Sequence, residues 1–136
     1  MIHAGLSELR QAFHGHRSAA GTGSSSYNLL LFYAAECGLK SVWMKRYRLR
    51  TTAQIDPGLL REGGHDLMLW AKKLSLPAAL TGRSVRFRLA RDGKACDVLL
   101  AHQAWRYGIG IDGQDEENLV AWIEKLCDWV RREIPL

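Results

Sequence analysis

The stretch SSSYNLLLFYAAECGLKSVWMKRY, residues 24–47, constrains the fold more than any other part of the chain. Its first half is apolar nearly all round at helical spacing, and a helix of that kind must be enclosed by other elements rather than laid on a surface. The spacing predicts a central helix starting at a Ser24 or Ser25 cap and running to about Tyr47, with a basic C-terminal end of the sign the helix dipole favours. Inside it lie Glu36 and Lys40, one turn apart, in the order that suits a same-face pair. Tyrosine, cysteine and leucine surround them, so Glu36 is expected to face a groove or a buried polar partner.

What encloses the helix reads less uniformly. A short helix is expected from Ser7 to about His16, followed by the small, polar, glycine-rich connector GHRSAAGTGSSS, residues 15–26. Residues 48–63 hold Pro57-Gly58, read as a loop with one turn of helix around PGLLRE. HDLMLWAKKLSL, residues 65–76, repeats Leu67, Trp70, Ala71 and Leu74 at helical spacing until Pro77 stops it. Two readings compete over residues 81–100. Alternation in SVRFRL and the Asp92-Gly93 turn predict a hairpin pairing Val85–Leu89 with Ala95–Leu99. Alternatively, Ala95, Val98, Leu99, His102, Trp105 and Arg106 share a helical face, and a helix from about Gly93 to Arg106 after a short extended piece is the preferred expectation. Asp115 is expected to cap a last helix, EENLVAWIEKLCDWVRRE, with a buried stripe of Leu119, Trp122, Ile123, Leu126, Trp129 and Val130. The sum is an all-α bundle of about five helices in one domain over residues 1–136.

Composition excludes several classes. Cys37, Cys96 and Cys127 are odd in number and far apart, which argues against a disulfide framework and for a reducing cytoplasm. The longest apolar run, Leu29–Ala35, is too short to span a bilayer and the N-terminus lacks a signal-peptide pattern, so no membrane association is expected. There is no HExxH, paired CxxC, GxxxxGK[ST] or GxSxG, and His14 and His16 lack companion ligands, so neither metal nor cofactor is expected. The net charge of +5 is uneven: residues 1–100 carry 15 Lys and Arg against 7 acids, residues 101–136 only 4 against 7. A basic body of that kind suits nucleic acid or an acidic protein surface, or is a solvated face.

Several residues carry candidate chemistry. Glu36 and Lys40 with His65, Asp66, Arg106 and Tyr107 are expected to form a polar cluster where three helices meet, with Gly38 permitting close approach. Capping is the first reading of His65-Asp66, with His65 as a general base the alternative. His102 and Arg106, one turn apart, offer an imidazole and a phosphate-binding fork; the plainer reading is that Arg106 pairs with Glu36 while Tyr107 packs. Lys45, Arg46, Arg48 and Arg50 interleave with Tyr47, and Arg86 and Arg88 alternate in SVRFRL, as candidates for tracking a phosphate backbone.

Taken in order, YNLLLFYAAECGLKSVWMKR, GHDLMLWAKKLSL, AWRYG and EENLVAWIEKLCDWVRREI resemble HEPN-domain proteins over about residues 24–134. That resemblance implies a helical bundle that often dimerises, found in prokaryotic toxin–antitoxin, antiviral-defence and CRISPR-related assemblies. Many members are metal-independent ribonucleases that use an arginine, four to six residues, then a histidine. This chain departs from that motif: Arg10 and His16 fit the spacing but lie outside the matched region, Arg61 and His65 are one residue too close, and His102–Arg106 runs in reverse. The expected function is therefore a non-catalytic accessory or scaffolding subunit that binds RNA, a nucleotide or a partner protein, with homodimerisation implied by the family. The alternative is a ribonuclease using His102 or His65 as base and Arg106 to stabilise the phosphorane.

Overall fold

The computed structural model describes residues 5–7, 9, 10, 13 and 25–134. Among the described residues helix makes up 67%, with six α-helices from Ser25 onward and one small antiparallel sheet. Helix α1 is Ser25–Arg46, and it is buried on nearly every side, from Leu31 and Phe32 through Ala35 and Leu39 to Val42 and Met44. The central position predicted from its all-round apolarity is what the fold realises. Leu6, Ser7, Leu9, Arg10 and Phe13 are helical, and Leu9 and Phe13 join the core; the rest of the expected helix over 7–16 and the connector over 15–24 lie outside the described residues.

The segment read as a loop carries more helix than expected. After a 3-10 turn at Thr52–Gln54, helix α2 spans Pro57–Gly63, because Asp56 accepts from the amides of Gly58 and Leu59 at 2.7 and 3.2 Å and Pro57 needs no partner for its missing N–H. Helix α3, Leu67–Lys73, buries Leu67, Met68, Trp70 and Ala71. A short α4, Ala78–Thr81, follows Pro77.

Both readings of residues 81–100 contribute, in sequence. Strand β1, Arg86–Arg88, pairs with β2, Ala95–Asp97, in the register Phe87↔Cys96, and only then does a 3-10 turn at Val98–Leu100 lead into α5, Ala101–Arg106. The preferred helix from Gly93 is thus corrected to a start at Val98. Gly93 has φ +71°, a left-handed conformation that no helix accommodates, and it closes the hairpin instead.

Helix α6, Gly113–Glu133, buries the six stripe residues the periodicity selects, together with Cys127. Its cap is Asp112, whose carboxylate accepts from the Asp115 amide at 3.1 Å, and not Asp115 as expected. Asp115 is taken by the hairpin. The chain past β1 bonds to the residues entering α6, with Ala90 N–H donating to Gly110 O at 2.9 Å and Asp112 N–H to Arg88 O at 2.8 Å, and this sets Arg88 over the first turn.

Three helices share one direction. Gly38 of α1 meets α6, where an added Cβ would lie 2.7 Å from Val130 Cγ1, and further on Lys45 Nζ donates to Glu133 O at 2.8 Å. Glu36 of α1 meets His65 just before α3, and Arg46 donates to Leu74 O just after it. The C-terminal ends of α1, α3 and α6 therefore gather at one pole of the molecule.

Candidate functional site

Two groups of polar residues stand out. The first begins at Glu36, which is 8% exposed although ionisable. A carboxylate in that position is tolerable only with donors on it, and it has two: Lys40 Nζ at 3.0 Å on Oε1 and His65 Nδ1 at 2.9 Å on Oε2. Lys40 comes from the next turn of the same helix. His65 is positioned by the tight bend between α2 and α3, where Asp66 caps α3 by accepting from the Leu69 amide at 3.1 Å.

His65 stacks on His102, with ring centroids 4.1 Å apart and planes tilted by 38°. His102 lies on α5 and is 6% exposed; its Nδ1–H donates to Leu99 O at 2.8 Å, and its ring packs on Phe32 of α1. Because a carbonyl only accepts, Nδ1 carries the proton and the neutral ring keeps its lone pair on Nε2. Burial, then the neighbouring His65, hold the His102 pKa below the ordinary histidine value, which favours that neutral form.

Arg106 does not reach Glu36, the pairing expected of it. It donates instead to the Tyr33 hydroxyl, and that bond together with Tyr107 raises its pKa. The reason is the placement of α5, which crosses α1 nearer Phe32 and Tyr33, with Phe32 against Trp105 at 6.4 Å. Tyr107, expected to pack, is instead 68% exposed beyond the helix end. Tyr33 is the cluster member that the sequence did not single out; it shares the α1 face of Glu36 and Lys40 at a spacing of i, i+3, i+7, which was the available signal. Its ring is 6.2 Å from that of His65. Gly38, assigned to this cluster from sequence, serves the α1–α6 contact. Burial, then Glu36, push the Cys37 thiol up to about 11, which favours its protonated form. Among the described residues no group of three histidine, cysteine or acidic side chains is arranged to hold a metal ion.

The second group is the six candidate phosphate contacts, which the fold divides. Arg86 pairs across the hairpin with Asp97 at 3.1 Å, and Arg88 is held by Asp115 at 2.9 Å and Asp112 at 3.6 Å. The Arg88 hydrogen bond lowers the Asp115 pKa. At the other end of the molecule, Lys45 and Arg46 are tied to the carbonyls of Glu133 and Leu74, and Arg46 also lies over the Trp129 ring at 5.6 Å. Arg48 and Arg50 are exposed and meet no acid among the described residues. The last turns of α3 and α6 bring Lys72, Lys73, Arg131 and Arg132 to the same pole.

Compared with protein-family models, curated proteins and solved structures, the chain matches none. No helix among the described residues is long and apolar enough to cross a membrane.

Proposed function

We propose that the chain is a non-catalytic HEPN-like helical module, an accessory or scaffolding subunit of a prokaryotic defence or toxin–antitoxin type assembly, which binds RNA, a nucleotide or a partner protein. The observation that carries this reading is how the two histidines are committed. Cleavage of RNA by 2′-hydroxyl attack requires a base and an acid on opposite sides of the phosphorus, each within about 3 Å of the oxygen it serves. His65 and His102 are stacked at 4.1 Å, leaving no room for a phosphate between them, and each spends its Nδ1 on an internal acceptor. A satisfied polar network of this kind fixes how three helices meet.

A second reading keeps one observation in its favour. Glu36 orients His65 through Nδ1 as a carboxylate orients a general base, so two copies, each lending a histidine, would make a metal-independent ribonuclease. The two readings separate when purified protein is incubated with single-stranded and structured RNA in the presence of chelator. The accessory module leaves both intact, in the wild type and in His102→Ala and Arg106→Ala alike, and co-purifies with a protein partner in a salt-resistant complex. Cleavage that either substitution abolishes, and that an RNA lacking the 2′-hydroxyl escapes, overturns it.

A further inference from the structure

The pole where α1, α3 and α6 end is strongly basic. The α1 exit over residues 45–50, the α3 exit over 72–76 and the α6 exit over 128–134 together carry eight Lys and Arg against two acids, Asp128 and Glu133. Part of this is helix physics, because cations in the last turn offset the negative end of the dipole. The remainder is not. Arg48 and Arg50 lie past the end of α1 and beyond the reach of that effect, in a turn fixed by Leu49 N–H donating to Met44 O at 2.9 Å. Arg48 sits there at φ +55°, a conformation glycine or asparagine would hold with less strain. The backbone N–H of Arg50 donates to Gln54, so the turn is anchored on both sides and only the guanidinium groups reach outward.

Between these cations stands an aromatic platform. Tyr47 is 58% exposed, and its ring rests on Trp43 at 4.3 Å with a tilt of 37°. Trp43 in turn meets the fully buried Trp70 edge-on at 5.9 Å. An exposed aromatic ring backed by two others is held in place, with one face open. Rings of this kind stack on unpaired bases, and flanking cations take the phosphates.

We propose that this pole is a binding site for single-stranded nucleic acid, with a base stacked on the Tyr47–Trp43 pair and the backbone held by Arg48, Arg50 and the last-turn cations of α3 and α6. An acidic peptide would use the cations and leave the stack idle. A duplex already has its bases stacked on each other. The site gives the accessory module's ligand a chemical class, and it rests on that reading only in needing no chemistry from the histidine cluster.

Fluorescence anisotropy of the whole chain with a labelled oligouridine RNA of about twelve nucleotides tests this. Affinity falls steeply as salt rises from about 50 to 200 mM, and Arg48→Ala with Arg50→Ala flattens the log–log salt slope by about 0.7 for each phosphate no longer neutralised. Tyr47→Ala weakens binding about tenfold at an unchanged slope, while Tyr47→Phe retains it. Arg91→Ala with Lys94→Ala removes the same two charges from the hairpin loop, at the opposite end of α6 and about 30 Å away, and leaves binding as it was. Circular dichroism checks that each variant is folded. Absence of binding overturns the proposal. So does an equal loss in Arg91→Ala with Lys94→Ala, which would mean attraction by net charge alone. Tighter binding of a duplex or of polyglutamate, insensitive to Tyr47, overturns it as well. None of these results touches the accessory reading, which stands or falls on RNA cleavage and partner co-purification.

Discussion

The arginines of SVRFRL and those of KRYRLR look alike as strings, yet the fold puts them to different uses. At the hairpin, Arg86 and Arg88 are consumed by Asp97, Asp112 and Asp115. At the far end of α1, Arg46 is spent on a backbone carbonyl, but Arg48 and Arg50 meet no acid among the described residues. The difference lies in what the topology brings alongside. The hairpin is sewn to the start of α6, where a helix carries its acids, while the α1 exit sits where three helices end and carry their cations. A basic run in a sequence keeps its cations clear of carboxylates only when no acidic helix start is folded against it.

The substitution that breaks this arrangement most severely is Gly38→Val. The added atoms meet Val130 and Phe13, starting from a Cβ at 2.7 and 2.8 Å, and the α1–α6 contact that aligns the basic ends is forced apart. A loss of about 3 kcal/mol is expected in denaturant unfolding, accompanied by loss of nucleic-acid binding at the pole. Glu36→Ala comes next. Glu36 takes up Lys40 as Asp115 takes up Arg88, but under burial, so removing it leaves Lys40 and His65 without their acceptor. About 2 kcal/mol is expected, measured in the same way.

Asp112→Ala sharpens the comparison at the hairpin end. It removes the α6 cap, for about 1 kcal/mol, and one of the two acids facing Arg88. Arg88→Ala is the mildest change, because the Arg88–Asp115 pair is exposed to solvent and screened by salt. Its signature is in pH. The Asp115 pKa is lowered from 3.8 in the folded chain, so the pair's contribution is complete above that value and fades as pH falls through the folded one. Arg88→Ala should remove that acid-side dependence, lowering the melting temperature slightly at neutral pH, where the pair's contribution is complete, and leaving it unchanged in acid, where the pair is already lost.

Much of this was visible in the residues. The enclosed α1 and the α6 stripe follow from periodicity, and the meeting of Glu36 with Lys40 and His65 follows from the cost of burying a carboxylate. The misses have a common cause, which is that local patterns do not report what another segment will claim. Asp115 has the look of a cap, but the hairpin takes its carboxylate and the cap moves to Asp112. Ala95 fits the helical face with Val98 and His102, yet the Asp92-Gly93 turn draws it into β2 first. Arg106 goes to Tyr33 because the crossing point of α5 on α1 is a tertiary quantity.

A histidine pair that serves the fold rather than chemistry is the central claim, and the protonation of His102 tests it most directly. Long-range proton–nitrogen NMR of the imidazoles, recorded from about pH 5 to 8 with and without oligouridine RNA, reads it at the ring itself. A structural pair gives the Nδ1–H tautomer at neutral pH, a midpoint below the ordinary 6.5, and no change when RNA is added. Between the lower folded value and 6.5 the unfolded chain holds more protons than the folded one, so stability falls as pH drops through that window. An Nε2–H tautomer, a midpoint at or above 6.5, or RNA-dependent shifts at His102 would contradict the claim and return the pair to catalysis.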